Sequence, residues 1–237
     1  MYTTVKVIQE LQQLATTDRQ AKAKYFGVQV DSLLGVSMPD IRALAKKIGK
    51  QHQLALALWD TNIHECRILA GMLADEKLFT PKEADEWIHD FNAWDICDQC
   101  CCNLLYKLPF IKEKIKQYYN APQEYVKRFA FAMIAVGAVH WKIVDNNFFE
   151  EFYPMIIEQS YDDRNFVKKA INWAVRQIGK RNLQLNDKAI ALCEQLLVQN
   201  NKAATWIAKD ALKELTSDEK QTRLMNLAME NKSNATM

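Results

Sequence analysis

Apolar residues recur at every third or fourth position in stretches near residues 4–15, 62–75, 92–107, 109–119, 145–159, 163–180, 186–199 and 202–215, a period that marks amphipathic helices. Three further runs announce their own starts. Ser37, Met38 and Pro39 open one that reaches Ile48, Thr80 and Pro81 open one to Phe91, and Pro122 opens one to about His140. Proline suits the first helical turn, where its fixed φ is already helical and its missing N–H leaves no bond unmade. Stretches that alternate polar and β-branched residues are almost absent, so no sheet is expected. The pattern predicts about a dozen helices, with breaks short enough to favour antiparallel neighbours.

Two of these helices are alike. VKRFAFAMIA at 126 and VKKAINWAVR at 167 match at an offset of 41 residues, and ECRILAGML at 65 carries a fainter version of the same pattern. HEAT and armadillo units repeat at about 40–47 residues, so the chain reads as an all-α stack of degenerate helix pairs. An irregular bundle whose buried helices share small residues is the alternative. One domain is expected over residues 1–230, followed by a polar, disordered tail at 231–237.

Composition adds limits. With 237 residues, 49% hydrophobic and 25% charged, the chain has ordinary globular values and enough length for one substantial core. Its first residues, MYTTVKVIQELQQLA, carry no basic region followed by an apolar stretch, and no later apolar run would span a bilayer, so a soluble cytoplasmic protein without membrane attachment is expected. Of six cysteines, four crowd into Cys97–Cys102; this is not the spaced framework of a secreted protein, and free thiols are expected. Cys97 and Cys100 form a CxxC, but no second ligand pair follows, and His52, His64, His89 and His140 fall in no ligand pattern. The cysteines therefore read as small packed helix residues, and no metal is expected. No GxSxG, Walker or GxGxxG motif is present, which leaves acyl-transfer and nucleotide-binding chemistry without support. A net charge of +2 does not announce a polyanionic partner, so the placement of the cations has to decide.

Two helices place chemistry on one stripe. In NAWDICDQCCCNLLYK, from residue 92, Asn92 is a natural N-cap and Asp95 sits at the capping-box position, which gives Asp95 a structural explanation. Asp98 has none: it lies one turn further on and shares a face with Trp94 at i, i+4. Such a pair is either a solvated carboxylate beside a half-buried ring or the start of a site. On the helix from 163, Lys169, Trp173, Arg176 and Lys180 fall at i, i+4, i+7 and i+11, away from the apolar face of Phe166, Val167, Ala170, Ile171, Ala174 and Ile178. A tryptophan flanked by cations suits a polyanion with flat bases; the plainer reading is a solvated charged face. Lys127 and Arg128 occupy the like place in the matching repeat, which would put Arg128 near the same stripe.

Taken together, LLGVSMPDIRALAK at 33–46, FNAWDICDQC at 91–100, VKRFAFAMIA at 126–135 and NFVKKAINWAVRQIGKRN at 165–182 resemble the AlkD-type DNA alkylation repair glycosylases over nearly the whole chain. The resemblance implies a HEAT-like, armadillo-type α-α superhelix with a concave basic groove. It implies that Asp98 is the essential carboxylate, that Trp94 and Trp173 contact the lesion, and that Arg128 helps bind the DNA backbone; Lys169, Arg176 and Lys180 extend that basic surface. The cysteine run after Asp98 departs from anything the family explains. The implied activity is excision of positively charged N3- and N7-alkylated purines, such as 3-methyladenine and 7-methylguanine, from duplex DNA in base excision repair. It would proceed in a monomer, without base flipping and without a cofactor. The alternatives are a non-catalytic HEAT-repeat DNA-binding protein and a protein-interaction scaffold.

Overall fold

The computed structural model describes residues 2–28 and 31–235, the last five of these in backbone alone. The tail expected to be disordered from Asn231 therefore falls outside the described side chains, and Thr236 and Met237 outside the described residues altogether. Fifteen α-helices and one short 3-10 turn make up the described secondary structure, with no strand among the described residues. No helix among them is long and apolar enough to cross a membrane. The described residues group into two compact units, residues 1–112 and 113–237; each is described by itself.

The first unit holds α1 (Thr4–Leu14), α2 (Thr17–Tyr25), α3 (Met38–Ile48), α4 (His52–Trp59), α5 (His64–Leu73), α6 (Pro81–His89), α7 (Trp94–Asn103) and a 3-10 turn at Leu105–Lys107. The predicted starts are met. The Ser37 side chain caps α3, and at α6 Thr80 and Glu83 form a reciprocal capping box, so orphan N–H groups of both first turns are satisfied. The stretch expected over 92–107 is broken at Leu104, whose backbone leaves the helical region at φ −126°, ψ −63°. The sequence pattern missed α2 and α4. With no buried residue on α2, there was no apolar stripe to detect.

At the centre of this unit, α5 packs against α3, α4 and α7 and buries nine of its ten residues. Three of the nine, His64, Glu65 and Arg67, are polar or charged, and each has a partner, as burial requires. Glu65 accepts the backbone N–H groups of Leu34, Gly35 and Val36 at 2.9, 2.6 and 3.1 Å. Gly35 has φ +87°, and a Cβ there would lie 2.4 Å from the Thr16 carbonyl oxygen, so only glycine fits this turn. Arg67 donates to the carbonyls of Asp90 and Trp59 and lies 4.9 Å from the Trp59 ring centre; Trp59 in turn stacks on Trp87 at 4.0 Å. Glu65→Gln retains the shape but turns an amide N–H toward backbone donors. It is expected to cost about 1–3 kcal/mol, the penalty for buried hydrogen-bonding groups left unpaired, read as a lower midpoint in thermal or urea unfolding.

In the second unit, following α8 (Ile111–Tyr118), run α9 (Glu124–His140), α10 (Asn146–Glu150), α11 (Tyr153–Gln159), α12 (Asn165–Gly179), α13 (Leu183–Leu197), α14 (Lys202–Leu215) and α15 (Asp218–Ala235). The two look-alike segments become α9 and α12, which pack on each other, and α12 also packs against α13 and α14. From Val126 to Ala138 every residue of α9 is buried, hence the near-absence of an amphipathic period there. The single stretch expected at 145–159 is two short helices, and α13 begins at Leu183 because Asn182 accepts from Leu185 N and caps it there.

A charged network ties α12 to its surroundings. Lys127 on α9 donates to Gln159 Oε1 at 2.6 Å and Asp162 Oδ2 at 3.0 Å, while Arg164 grips Asp162 through Nε at 2.9 Å and Nη2 at 2.6 Å and also reaches the Pro122 carbonyl. The side chains of Lys127 and Asp162 are only 10% and 11% exposed. Burial works to raise the Asp162 carboxyl, but hydrogen bonds from Arg164 and Lys127 outweigh it and hold the group at about 2.

Candidate functional site

Trp94 opens α7 and Asp98 follows one turn later, so both side chains leave the helix on one stripe, and both are half-buried. The capping expected of Asn92 is not seen. Ala93, at φ −148°, ψ 149°, is the N-cap and offers no side chain for the purpose, while Asn92 is exposed. Asp95 accordingly does not complete a capping box. Its Oδ1 accepts from Ile96 N and its Oδ2 meets His64 Nε2 at 2.9 Å, a tie between α7 and the start of α5. Spacing alone could not show this pair, because His64 and Asp95 are 31 residues apart.

The Trp94 indole N–H donates to the Phe26 carbonyl at 3.1 Å, which fixes the ring against the end of α2. Trp94 also lines a cavity of about 360 Å³ together with Phe26, Val28, Met38, His64 and Asp95. Asp98 is not in its wall. The functional carboxylate expected from the sequence thus lies on the helix surface beside Trp94.

The cysteines that follow Asp98 have a packing explanation. Cys97, Cys100 and Cys101 are fully buried, and a Cβ added at Gly71 on α5 would meet Cys100 Sγ at 3.2 Å. Small residues on both helices allow this close approach. All six thiols are free. Cys102, one turn after Asp98, is half-exposed, but burial and the nearby Asp98 carboxylate push its thiol up to about 11, and burial raises Cys66 to about 12. A thiol in this range is almost wholly protonated at neutral pH and is a poor nucleophile. Among the described residues no cluster of three His, Cys, Asp or Glu is placed to hold a metal ion.

In the second unit the predicted stripe is real. Lys169 is exposed and Trp173, Arg176 and Lys180 are half-buried, while Val167, Ala170, Ile171, Ala174 and Ile178 form the buried face as expected; Phe166, expected with them, is only half-buried. Asn172 and Val175 are buried as well, Asn172 donating to the Ile207 carbonyl of α14. Trp173 Nε1 donates to the Gln177 amide oxygen at 3.1 Å. Arg176 and Lys180 both reach Glu214 of α14, each at 2.8 Å. Arg128 departs from what was expected of it: only 5% exposed, it donates through Nη1 to the Phe166 carbonyl at 2.5 Å. Its guanidinium fastens α12 to α9 instead of standing open on the surface. Trp94 and Asp98 are thus joined on α7, and Trp173 with its three cations on α12.

The model of a family described as DNA alkylation repair enzyme matches residues 7–215. No curated protein sequence matches the chain. Among solved structures, one similar protein is described as belonging to a new family related to the HEAT-like repeat DNA glycosylases, with affinity for branched DNA structures. It aligns at a TM-score of 0.74 and 17% identity, over 90% of this chain and 95% of that one. A designed armadillo repeat protein covers 88% of this chain and 99% of its own at 15% identity, with a TM-score of 0.36 that carries no weight. The all-helical architecture is therefore HEAT-like, and the match over residues 7–215 makes this chain a member of the DNA alkylation repair enzyme family.

Proposed function

We propose that this protein is a DNA glycosylase that releases N3- and N7-alkylated purines, such as 3-methyladenine and 7-methylguanine, from duplex DNA. The observation that carries the reading is Asp98 one turn after Trp94 on the surface of α7 in a chain of the DNA alkylation repair family. The Cys102 thiol, one turn beyond Asp98, is too basic to serve as a thiolate acceptor of an alkyl group.

The chemistry asks little of the protein. Alkylation at N3 or N7 gives the purine a positive charge, so the bond to the sugar is weakened and the base departs without being protonated. What needs help is the sugar, which passes through an oxocarbenium-like transition state. An ionised Asp98 beside it stabilises the developing positive charge and can orient the attacking water. Trp94 favours the cationic nucleotide through its π face, a preference worth about 0.5–2 kcal/mol, and the resemblance assigns Trp173 the same role. Because Asp98 is not in the cavity wall, the proposal keeps the lesion in the stack and needs no extrusion into a closed pocket. No cofactor enters these steps.

Lys169, Arg176 and Lys180 are assigned to phosphates. Arg176 and Lys180 would have to exchange Glu214 for DNA; partly exposed ion pairs of this kind are worth about 0–1 kcal/mol, so the exchange is inexpensive. Arg128, inside the α9–α12 packing, holds that helix in place. The test is release of free base from methylated duplex by the purified protein, with duplex binding followed in parallel. A second reading, a non-catalytic DNA-binding module, is favoured by the branched-DNA affinity of the structural relative; binding without release would select it.

A further inference from the structure

The stripe on α12 occurs a second time. Lys169, Trp173, Arg176 and Lys180 are matched at a constant offset of 33 residues by Lys202, Trp206, Lys209 and Lys213 on α14. The buried faces repeat too: Ala170, Ile171, Ala174, Val175 and Ile178 correspond to Ala203, Ala204, Ile207, Ala208 and Ala211, all in the core. The two helices pack directly on each other. Their stripes differ in one respect that decides what they can do. On α12, Arg176 and Lys180 are occupied by Glu214. On α14, Lys202, Lys209 and Lys213 are exposed and have no ion pair among the described residues, because Asp210 and Glu214, one position further round the helix, face the α12 cations. Trp206 is 38% exposed, and Lys168 Nζ lies 5.0 Å from its ring centre.

We propose that α14 carries a second DNA-binding stripe, in which Lys202, Lys209 and Lys213 contact backbone phosphates along one strand and Trp206 packs against the sugars between them. This rests on the reading of DNA as the partner and says which surface supplies the free charge. Eleven residues of helix span about 16 Å; at 3.4 Å of axis per phosphate on one strand, that matches a run of about five phosphates. Three unpaired lysines around an exposed tryptophan suit this target, whereas the α12 cations must first give up a carboxylate.

Neutralising a phosphate contributes about 0.9 to the slope of log affinity against log salt. The triple variant Lys202→Gln, Lys209→Gln, Lys213→Gln, with all three positions exposed, is therefore expected to remain folded by circular dichroism and to lower the slope for an undamaged duplex by about 3. Trp206→Ala is expected to weaken binding several-fold at every salt concentration with the slope unchanged. Lys82→Gln on α6, where the side chain is 86% exposed, is the control and should alter neither quantity. A triple variant with the wild-type slope, or a Lys82→Gln protein that loses as much per lysine, overturns the second stripe while leaving DNA binding intact. A wild-type protein that binds no duplex at any salt concentration overturns the DNA reading itself, and the stripe with it.

Discussion

Asp98→Asn is expected to cut base release from methylated duplex by about 10²- to 10³-fold, the usual loss when one preorganised electrostatic partner of a charged transition state is removed. The substitution keeps the shape of the side chain, removes its charge and replaces one acceptor oxygen by a donor amide. Asp98 lies half-buried on the surface of α7, outside the core formed by Ile96, Cys97, Cys100 and Cys101, and thermal unfolding of the variant checks that the fold is retained. Binding to the same DNA should hold or tighten slightly, since a negative charge facing phosphates has gone. Single-turnover release with binding measured alongside separates these effects: lost release with retained binding places the carboxylate in the chemistry, whereas parallel loss of both makes it a folding residue.

Asp162→Ala is expected to destabilise the second unit by about 3–5 kcal/mol, the cost of leaving a buried charge without its partner. Lys127 would keep only Gln159, and Arg164 would lose both of its carboxylate bonds. The wild-type carboxyl, held at about 2, lies below the unfolded value of about 3.9. Its stabilisation is therefore fully present above that unfolded value and is lost as pH falls from there toward 2. Urea unfolding at pH 7 and pH 3 checks both points: the gap between wild type and variant should be widest at pH 7 and smaller, but still present, at pH 3. A double replacement, Lys127→Met with Asp162→Leu, should recover the part of the loss that comes from Lys127, because an apolar pair is often as stable as a buried ion pair, while Arg164 still loses its carboxylate bonds. The network also bears on function, since Arg164 is the N-cap of α12 and Arg128 ties the same helix to α9.

How far these features were legible in the sequence depends on how local they are. Helix starts marked by Ser37, Thr80 and their prolines were readable because a cap is settled within four residues. The stripe of α12 was readable because its buried face is clean. By contrast α2 had no buried face to read, and α9 is apolar on nearly every side, so period gives no direction. Asn92 was a reasonable cap by residue type, but Ala93 holds that place, and Asp95 is drawn to His64 by a contact 31 residues away. The same limit applies to Arg128: its repeat position was visible, but its burial against Phe166 depends on how two distant helices pack. The cysteine run had no reading beyond small size until Gly71 was seen opposite Cys100. The stripe on α14, in contrast, was fully written in the sequence at a constant offset. It differs from the 41-residue spacing of α9 and α12 because one helix, α13, separates α12 from α14 where two separate the earlier pair.

The most direct test of the account is the time course of base release by the wild-type protein from two duplexes of one sequence, one carrying a single 7-methylguanine and the other a neutral lesion such as hypoxanthine. The account predicts release of the cationic base and none of the neutral one, because selection rests on charge already present in the base. Equal release from both, or none from either while the protein binds both duplexes, would contradict it.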